Sequence, residues 1–298
     1  MTDIRGSNAI ITGASRGIGT YIAKTLARKG VNVVLAARDA AKLEDTRRAC
    51  EALGVRAVAV ATDVTSRDDL RRLVETARRE LGDVDIVVNN AAIEVTKSIE
   101  GLSFDEVDEI ILTNLNAPIW LTKMVLPSMI ERGRGAIVNV ASLAGKAALP
   151  YNSIYSGTKH GLVGFTESVR IELDGTGVRI GAVCPGLVSD AGMWANTGRK
   201  APRMARAVSP QKCADAVLKV IDGAGEVVVA SSPIRPLLAL GQLFPGLNKT
   251  VLKRMGITDV FHDRARELES RAARAPGAPV GGDGASDRET ADVGRNDP

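Results

Sequence analysis

A doubly wound α/β fold, with a parallel sheet of about seven strands and helices on both faces, follows from three features of this 298-residue sequence. Short β-rich runs alternate with helical periods along most of the chain, the pattern of strand–helix–strand units joined by right-handed crossovers. Several runs are unbroken Val/Ile/Ala segments, as strands buried on both faces require. The first strand also leads through a glycine-rich turn straight into the first helix.

NAIIT (8–12) is the first strand. Ile18, Tyr21, Ile22 and Leu26 then recur at helical spacing and form one apolar stripe. VNVVLAA (31–37) and VRAVAVA (55–61) are the second and third strands. A Thr-Ser pair suited to capping precedes a helix over 67–81, whose stripe is Leu70, Leu73, Val74, Ala77 and Leu81. VDIVV (84–88), GAIVNVA (135–141), VRIGAV (178–183) and EVVVA (226–230) complete the strands. The acidic run Asp105, Glu106, Asp108 and Glu109 reads as a solvated first helical turn, favoured by the dipole. No fixed-period repeat is present. The body therefore spans 1–230. Residues 231–271 form an apolar, then basic, extension, and 272–298 is too poor in apolar side chains to offset its ordering entropy, so it reads as a disordered tail.

Composition excludes other classes. Apolar residues are 45% and charged residues 25%, ordinary globular usage. A net charge of +4 and 3% aromatics give no basic patch or stacking platform for nucleic acid. Cys50, Cys184 and Cys213 are too few and too widely spaced for a disulfide framework or a zinc site. With only His160 and His262 besides, no metal site is expected. No leader pattern and no uncharged apolar run of about 18 residues is present, so the expected location is cytoplasmic.

The glycine turn, TGASRGIG (12–19), has the context of a dinucleotide site. Gly13 permits the tight turn, Gly17 lets backbone approach a pyrophosphate, and Gly19 permits close helix–strand packing. The helix N-terminus offers free N–H groups to the phosphates. At the end of the second strand, where an acid would accept the ribose hydroxyls of NAD, stand Ala37 and Arg38. A guanidinium there binds a 2′-phosphate that a carboxylate repels, and Arg16 reaches toward the same group. This favours NADP(H) over NAD(H). The competing reading is that both arginines are solvated surface charges, with Asp39 nearby.

Ser142 ends the fifth strand, and Tyr155 and Lys159 follow at helical i,i+4 spacing, on one face. An ammonium beside a phenol favours the phenolate and lets the pair move a proton at a substrate oxygen. A serine hydroxyl hydrogen-bonds that oxygen as charge develops. His160 points about 100° away from Lys159 and is not expected in the site. Cys184 reads as a buried structural thiol.

Taken together, residues 5–230 resemble the short-chain dehydrogenase/reductase family, whose single domain is a Rossmann-type oxidoreductase. TGASRGIG resembles the TGxxxGxG cofactor loop, and Asn89-Asn90-Ala91-Ala92 resembles NNAG, with Ala92 a mild departure. The resemblance implies that Asn114, Ser142, Tyr155 and Lys159 are catalytic. Tyr155 is then the acid/base and Ser142 orients the substrate oxygen. Lys159 binds the nicotinamide ribose and lowers the phenol pKa, while Asn114 holds a relay water. It also implies cofactor contacts from Ser15 and Ile18 in the loop, from Asp63 and Val64 at the adenine, and from Asn90 and Ala91. Pro185, Gly186 and Val188 would face the nicotinamide. Relatives pair through long helices corresponding to 104–131 and 155–173, which implies a homodimer or homotetramer.

The expected substrate is a small carbonyl or alcohol compound, lipophilic because Met193, Trp194 and Met204 suggest an apolar lid. Arg199, Lys200, Arg203 and Arg206 either hold an anionic group or merely solvate the loop, and Ser189 stands near the nicotinamide carboxamide. A non-catalytic dinucleotide sensor or scaffold is the alternative, but it has no need to keep Tyr155 and Lys159 together. For 231–271 three roles compete: a flap over the cleft, a subunit arm, or a membrane-surface contact using Lys249, Lys253 and Arg254. Pro233, Pro236 and Pro245 break a continuous amphipathic face, which ranks the membrane last.

Overall fold

The computed structural model describes residues 2–198, 206–231 and 234–274, except 245, 247–249, 251, 252 and 255. Its strands are β1 (Asn8–Thr12), β2 (Asn32–Ala37), β3 (Ala57–Ala61), β4 (Ile86–Asn89), β5 (Gly135–Val140), β6 (Val178–Pro185) and β7 (Glu226–Val229). They form one sheet in the order β3-β2-β1-β4-β5-β6-β7, and every pairing is parallel. This is the expected doubly wound, Rossmann-type α/β fold.

Both faces of the sheet are covered, which explains the unbroken apolar runs. On one face Ala9, Ile11, Val33 and Leu35 pack beneath α1 (Ile18–Arg28), α2 (Ala40–Glu51) and α7 (Pro210–Ile221). On the other, Ile10, Val34, Val87 and Ile137 pack beneath α3 (Arg67–Leu81), α5 (Ala117–Glu131) and α6 (Ser153–Glu172). Ile10 stands in register with Val34 on one side and Val87 on the other. Because β1 neighbours both β2 and β4, the winding reverses there and opens a crevice at the strand C-termini.

Local chemistry sets the helix ends. The Ser66 side chain accepts from Asp69 N at the start of α3, where Asp68 and Asp69 favour the dipole. Helix α4 (Phe104–Ile111) begins with a reciprocal capping box between Ser103 and Glu106. The acidic run is more than a solvated turn: Glu106 also pairs with Lys97 at 2.6 Å, and Glu109 with Arg38 at 3.5 Å. Between α4 and α5 lies a π-helical turn, Leu112–Asn116.

Beyond the sheet come α8 (Arg235–Leu243) and α9 (Ile257–Arg274). Helix α9 runs past the expected boundary at 271, and the rest of the expected tail, 275–298, lies outside the described residues. Phe261 and Ala265 of α9 are buried against the body. No described helix is long and apolar enough to cross a membrane.

Candidate active site

A cavity of about 730 Å³ opens at the crevice. Every expected cofactor residue except Gly19 lines it. Gly13 and Gly17 hold φ of +66° and +63°, a region that disfavours side chains. Gly19 lies beneath the loop: a Cβ there would stand 2.2 Å from the Gly13 carbonyl oxygen. Gly17 caps α1 without a side-chain bond, so the first-turn N–H groups meet no competing acceptor from the cap. A dinucleotide phosphate fits this cradle.

The loop is held from β4. Asn90 Nδ2 donates to the carbonyls of Thr12 and Gly13 at 2.9 and 3.2 Å. Thr12 Oγ1 accepts from the Asn90 and Ala91 N–H groups, both at 3.0 Å. The Asn90 side chain thus braces the phosphate loop, a role the motif alone did not specify.

Beyond the C-terminus of β2, Arg38, Asp39 and Lys42 line the cavity together with Arg16 from the glycine loop. Lys42 was missed in the sequence, though it stands one helical turn beyond Arg38. Asp39 is taken up locally: its carboxylate caps α2 by accepting from Lys42 N and pairs with Lys42 Nζ at 2.5 Å. Asp63 Oδ1 accepts from Thr65 N and Thr65 Oγ1, which fixes the turn carrying Val64.

Ser142, Tyr155 and Lys159 also line the cavity. Lys159 is 2% exposed, and its Nζ donates to Val140 O at 3.0 Å and lies 5.6 Å from the Tyr155 ring centroid. Burial lowers the ammonium to about 8. Burial also raises the Tyr155 phenol above its usual range, the Glu94 charge adds to this, and Ser142 opposes it with a hydrogen bond. In this arrangement burial outweighs any lowering by Lys159, so the phenol holds its proton.

Asn114 does not line the cavity. It is fully buried in the π-helical turn, where Oδ1 accepts from Ile93 N and Nδ2 donates to Ile93 O, both at 2.8 Å. Its Nδ2 also reaches Thr158 Oγ1 at 3.4 Å, beside Lys159. His160 bonds back to Ser156 O and lies off the cavity, and Cys184 is buried and free. Ser189 does not line the cavity either: its hydroxyl donates to Asp190 and to Val208 O. Val188 does, held by a bridge to Val208.

The remaining wall is largely apolar. Met193 and Trp194 line it, as does Arg206, while Arg199, Lys200, Arg203 and Met204 lie outside the described residues. The extension supplies Ile234, Leu238, Ile257, Val260 and Phe261 to the same wall. Phe261 meets Trp194 at 6.2 Å between ring centroids, His262 meets Tyr151 at 5.3 Å, and Arg264 pairs with Glu94 at 3.0 Å. Sequence reasoning missed Glu94 and Arg264.

Comparison with known proteins gives a consistent picture. The profile of the short chain dehydrogenase family matches residues 7–202. A ketoacyl reductase, HetN, of Nostoc sp. strain PCC 7120 is 41% identical over 271 residues, covering 89% of this chain and 94% of that protein. That coverage takes in part of the segment after residue 230. A metagenomic short-chain oxidoreductase solved with NADP is 34% identical, with a TM-score of 0.67 over 76% of this chain and 98% of that one. A variant of actinorhodin polyketide ketoreductase solved with NADPH is 32% identical, with a TM-score of 0.70 over 76% and 96%.

Proposed function

The chain belongs to the short-chain dehydrogenase/reductase family, and from that premise we propose that it is an NADP(H)-dependent reductase of lipophilic ketones. The observation that carries this reading is the opening of Ser142, Tyr155 and Lys159 onto the cavity that also holds the uncapped glycine loop. The nicotinamide supplies the hydride when bound. The loop N–H groups and Arg16 hold the phosphates, and Arg38 gives the charge that favours a 2′-phosphate.

The chain's own residues handle the proton. Ser142 orients the carbonyl oxygen, and Tyr155, held protonated by burial, donates to that oxygen as negative charge develops. Lys159 restores the proton, with Asn114 and Thr158 leading away from it through a relay water. A protonated phenol supports the reductive direction, as do the names of the Nostoc and actinorhodin relatives. The apolar wall supports a lipophilic substrate, and the contacts of α9 support a cap over the cleft in preference to the other two roles of 231–271. Phe104 and Ile171, 89% and 66% exposed on α4 and α6, support a homodimer or homotetramer through those helices. Three free, buried thiols fit a cytoplasmic setting.

NADPH oxidation screened against ketones, quinones, steroids and acyl thioesters tests the reading, with Tyr155→Phe beside the wild type. Loss of the phenol proton should lower turnover about 10²–10⁴-fold while NADPH still binds. A variant that keeps its rate would remove Tyr155 from the chemistry, and a wild type inert to every carbonyl would favour the sensor.

A further inference from the structure

The ion pair between Glu94 and Arg264 joins the loop after β4 to the C-terminal helix α9, 170 residues away in sequence. Both side chains are largely withdrawn from water, at 12% and 15% exposure. Glu94 lines the cavity that Tyr155 lines, and its charge opposes ionisation of the group read above as the proton donor. Its partner comes from a helix beyond residues 7–202, the stretch matched by the family profile.

From this geometry we propose that Arg264 is a positioning residue for the reaction: seated on Glu94, it neutralises a carboxylate on the cavity that Tyr155 shares, so proton donation is tuned by the docked C-terminal helix. The proposal rests on the role given to Tyr155 above.

The charges around the phenol are few. Tyr155 faces Ser142 from the segment after β5, Cys184 from β6, Lys159 from its own helix, and Glu94. Asp190 and Arg206 line the same cavity from the loop after β6. Glu94 itself meets Arg264 and accepts from Thr96 Oγ1 at 3.4 Å. The neighbouring Lys97 is engaged by Glu106, and on α9 His262 meets the Tyr151 ring at a tilt of 58°, with Asp263 3.6 Å from its own ring. Among these, Glu94 opposes ionisation of the phenol and Arg264 is its ionic partner. A carboxylate stripped of its partner in a partly dry wall acts on its neighbours more strongly than one in open water, because less water screens it. The α9 contacts therefore do two things: Phe261 and Ala265 seat the helix, and Arg264 sets the field at the reacting oxygen.

The test is the pH profile of kcat/KM for NADP⁺-dependent alcohol oxidation by the full chain. Arg264→Gln should move the Tyr155-dependent limb to higher pH by about one unit, about a tenfold loss of kcat/KM on that limb. Arg264→Lys keeps the charge and should restore the profile. Glu94→Gln should move the limb to lower pH, and the double variant should lie below Arg264→Gln alone, because no carboxylate remains to be unmasked. A helix that merely packs would lower the rate at every pH without moving the limb, and that result would overturn the proposal. If Arg264→Gln does not fold, the Glu94→Gln profile decides alone, an unmoved limb overturning the proposal. A wild type that turns over no carbonyl or alcohol overturns the reading of the site and this inference with it. A turning-over wild type with unmoved variants overturns the inference only.

Discussion

Replacing Lys159 with Met should remove a pH dependence of stability that the wild type carries between pH 7 and 10. Burial lowers the Lys159 ammonium from an ordinary 10.5 to about 8. At about 1.4 kcal/mol per pH unit, that interval corresponds to about 3 kcal/mol. Below pH 8 the group is charged in both the folded and the unfolded chain, and the fold bears the whole penalty. Between about 8 and 10.5 the folded chain has released a proton that the unfolded chain still binds, so stability rises with pH. Above 10.5 the penalty is gone. The buried thiols run the other way: burial raises Cys50 to about 11 and Cys184 and Cys213 to about 12, so they weaken the fold as pH climbs above 9. Both proteins share these thiols, so the difference between them isolates Lys159. Methionine comes within one heavy atom of lysine's length and gives up the bond to Val140 O and the ammonium beside the Tyr155 ring. Urea unfolding of wild type and Lys159→Met, at pH 7 and pH 10 without cofactor, should show the gap moving toward the wild type by about 2–3 kcal/mol. A gap that stays constant, or moves the other way, would refute a buried ammonium at this position.

Two further outcomes concern the cofactor. Gly19→Ala puts a Cβ 2.2 Å from the Gly13 oxygen and 2.8 Å from Asn90 Nδ2, so the loop backbone must shift and the NADPH dissociation constant of the folded fraction, measured by calorimetry, should rise more than about tenfold. An unchanged constant would show that the loop is not the phosphate cradle. Arg38→Ala removes a charge-assisted contact of about 1.5–3 kcal/mol, so NADPH should bind roughly ten- to a hundredfold more weakly while NADH is unaffected. Equal loss for both dinucleotides would mean that Arg38, already paired with Glu109, reads no 2′-phosphate.

The sheet was legible because both its faces are buried, so Val33, Val34 and Leu35 all had to be apolar, and the helix over 67–81 announced itself through Ser66 and one clean stripe. The glycine loop, Ser142, Tyr155 and Lys159 were legible because their spacing is local and chemically demanding. What stayed hidden depends on distant partners. Nothing near Glu94 points to Arg264, and nothing in the extension says that Phe261 will meet Trp194. The turn around Asn114 reads as ordinary helix in sequence, because a π-helical turn has no residue signature of its own. The bracing role of Asn90 is a matter of which way one amide points, and only the carbonyls of Thr12 and Gly13 decide it.

That π-helical turn has a consequence for how the chain tolerates change. Between Leu112 and Asn116 the backbone spends one residue more per turn than an α-helix does, and the turn joins α4 to α5 without a break. Point substitutions at Leu112 or Leu115 alter packing but leave the count intact, so Asn114 keeps its bearing on Ile93. Deleting a single residue from the turn would let an unbroken α-helix form, a better helix by every local measure, with the two halves facing nearly as before, because the extra residue is spent within one turn. Helices α4 and α5 could keep their faces, but Asn114 would lose the local offset that aims it at Ile93. The arithmetic of residues per turn, more than the identity of any one side chain, holds this position in register, and insertions or deletions here are a far graver class of change than replacements.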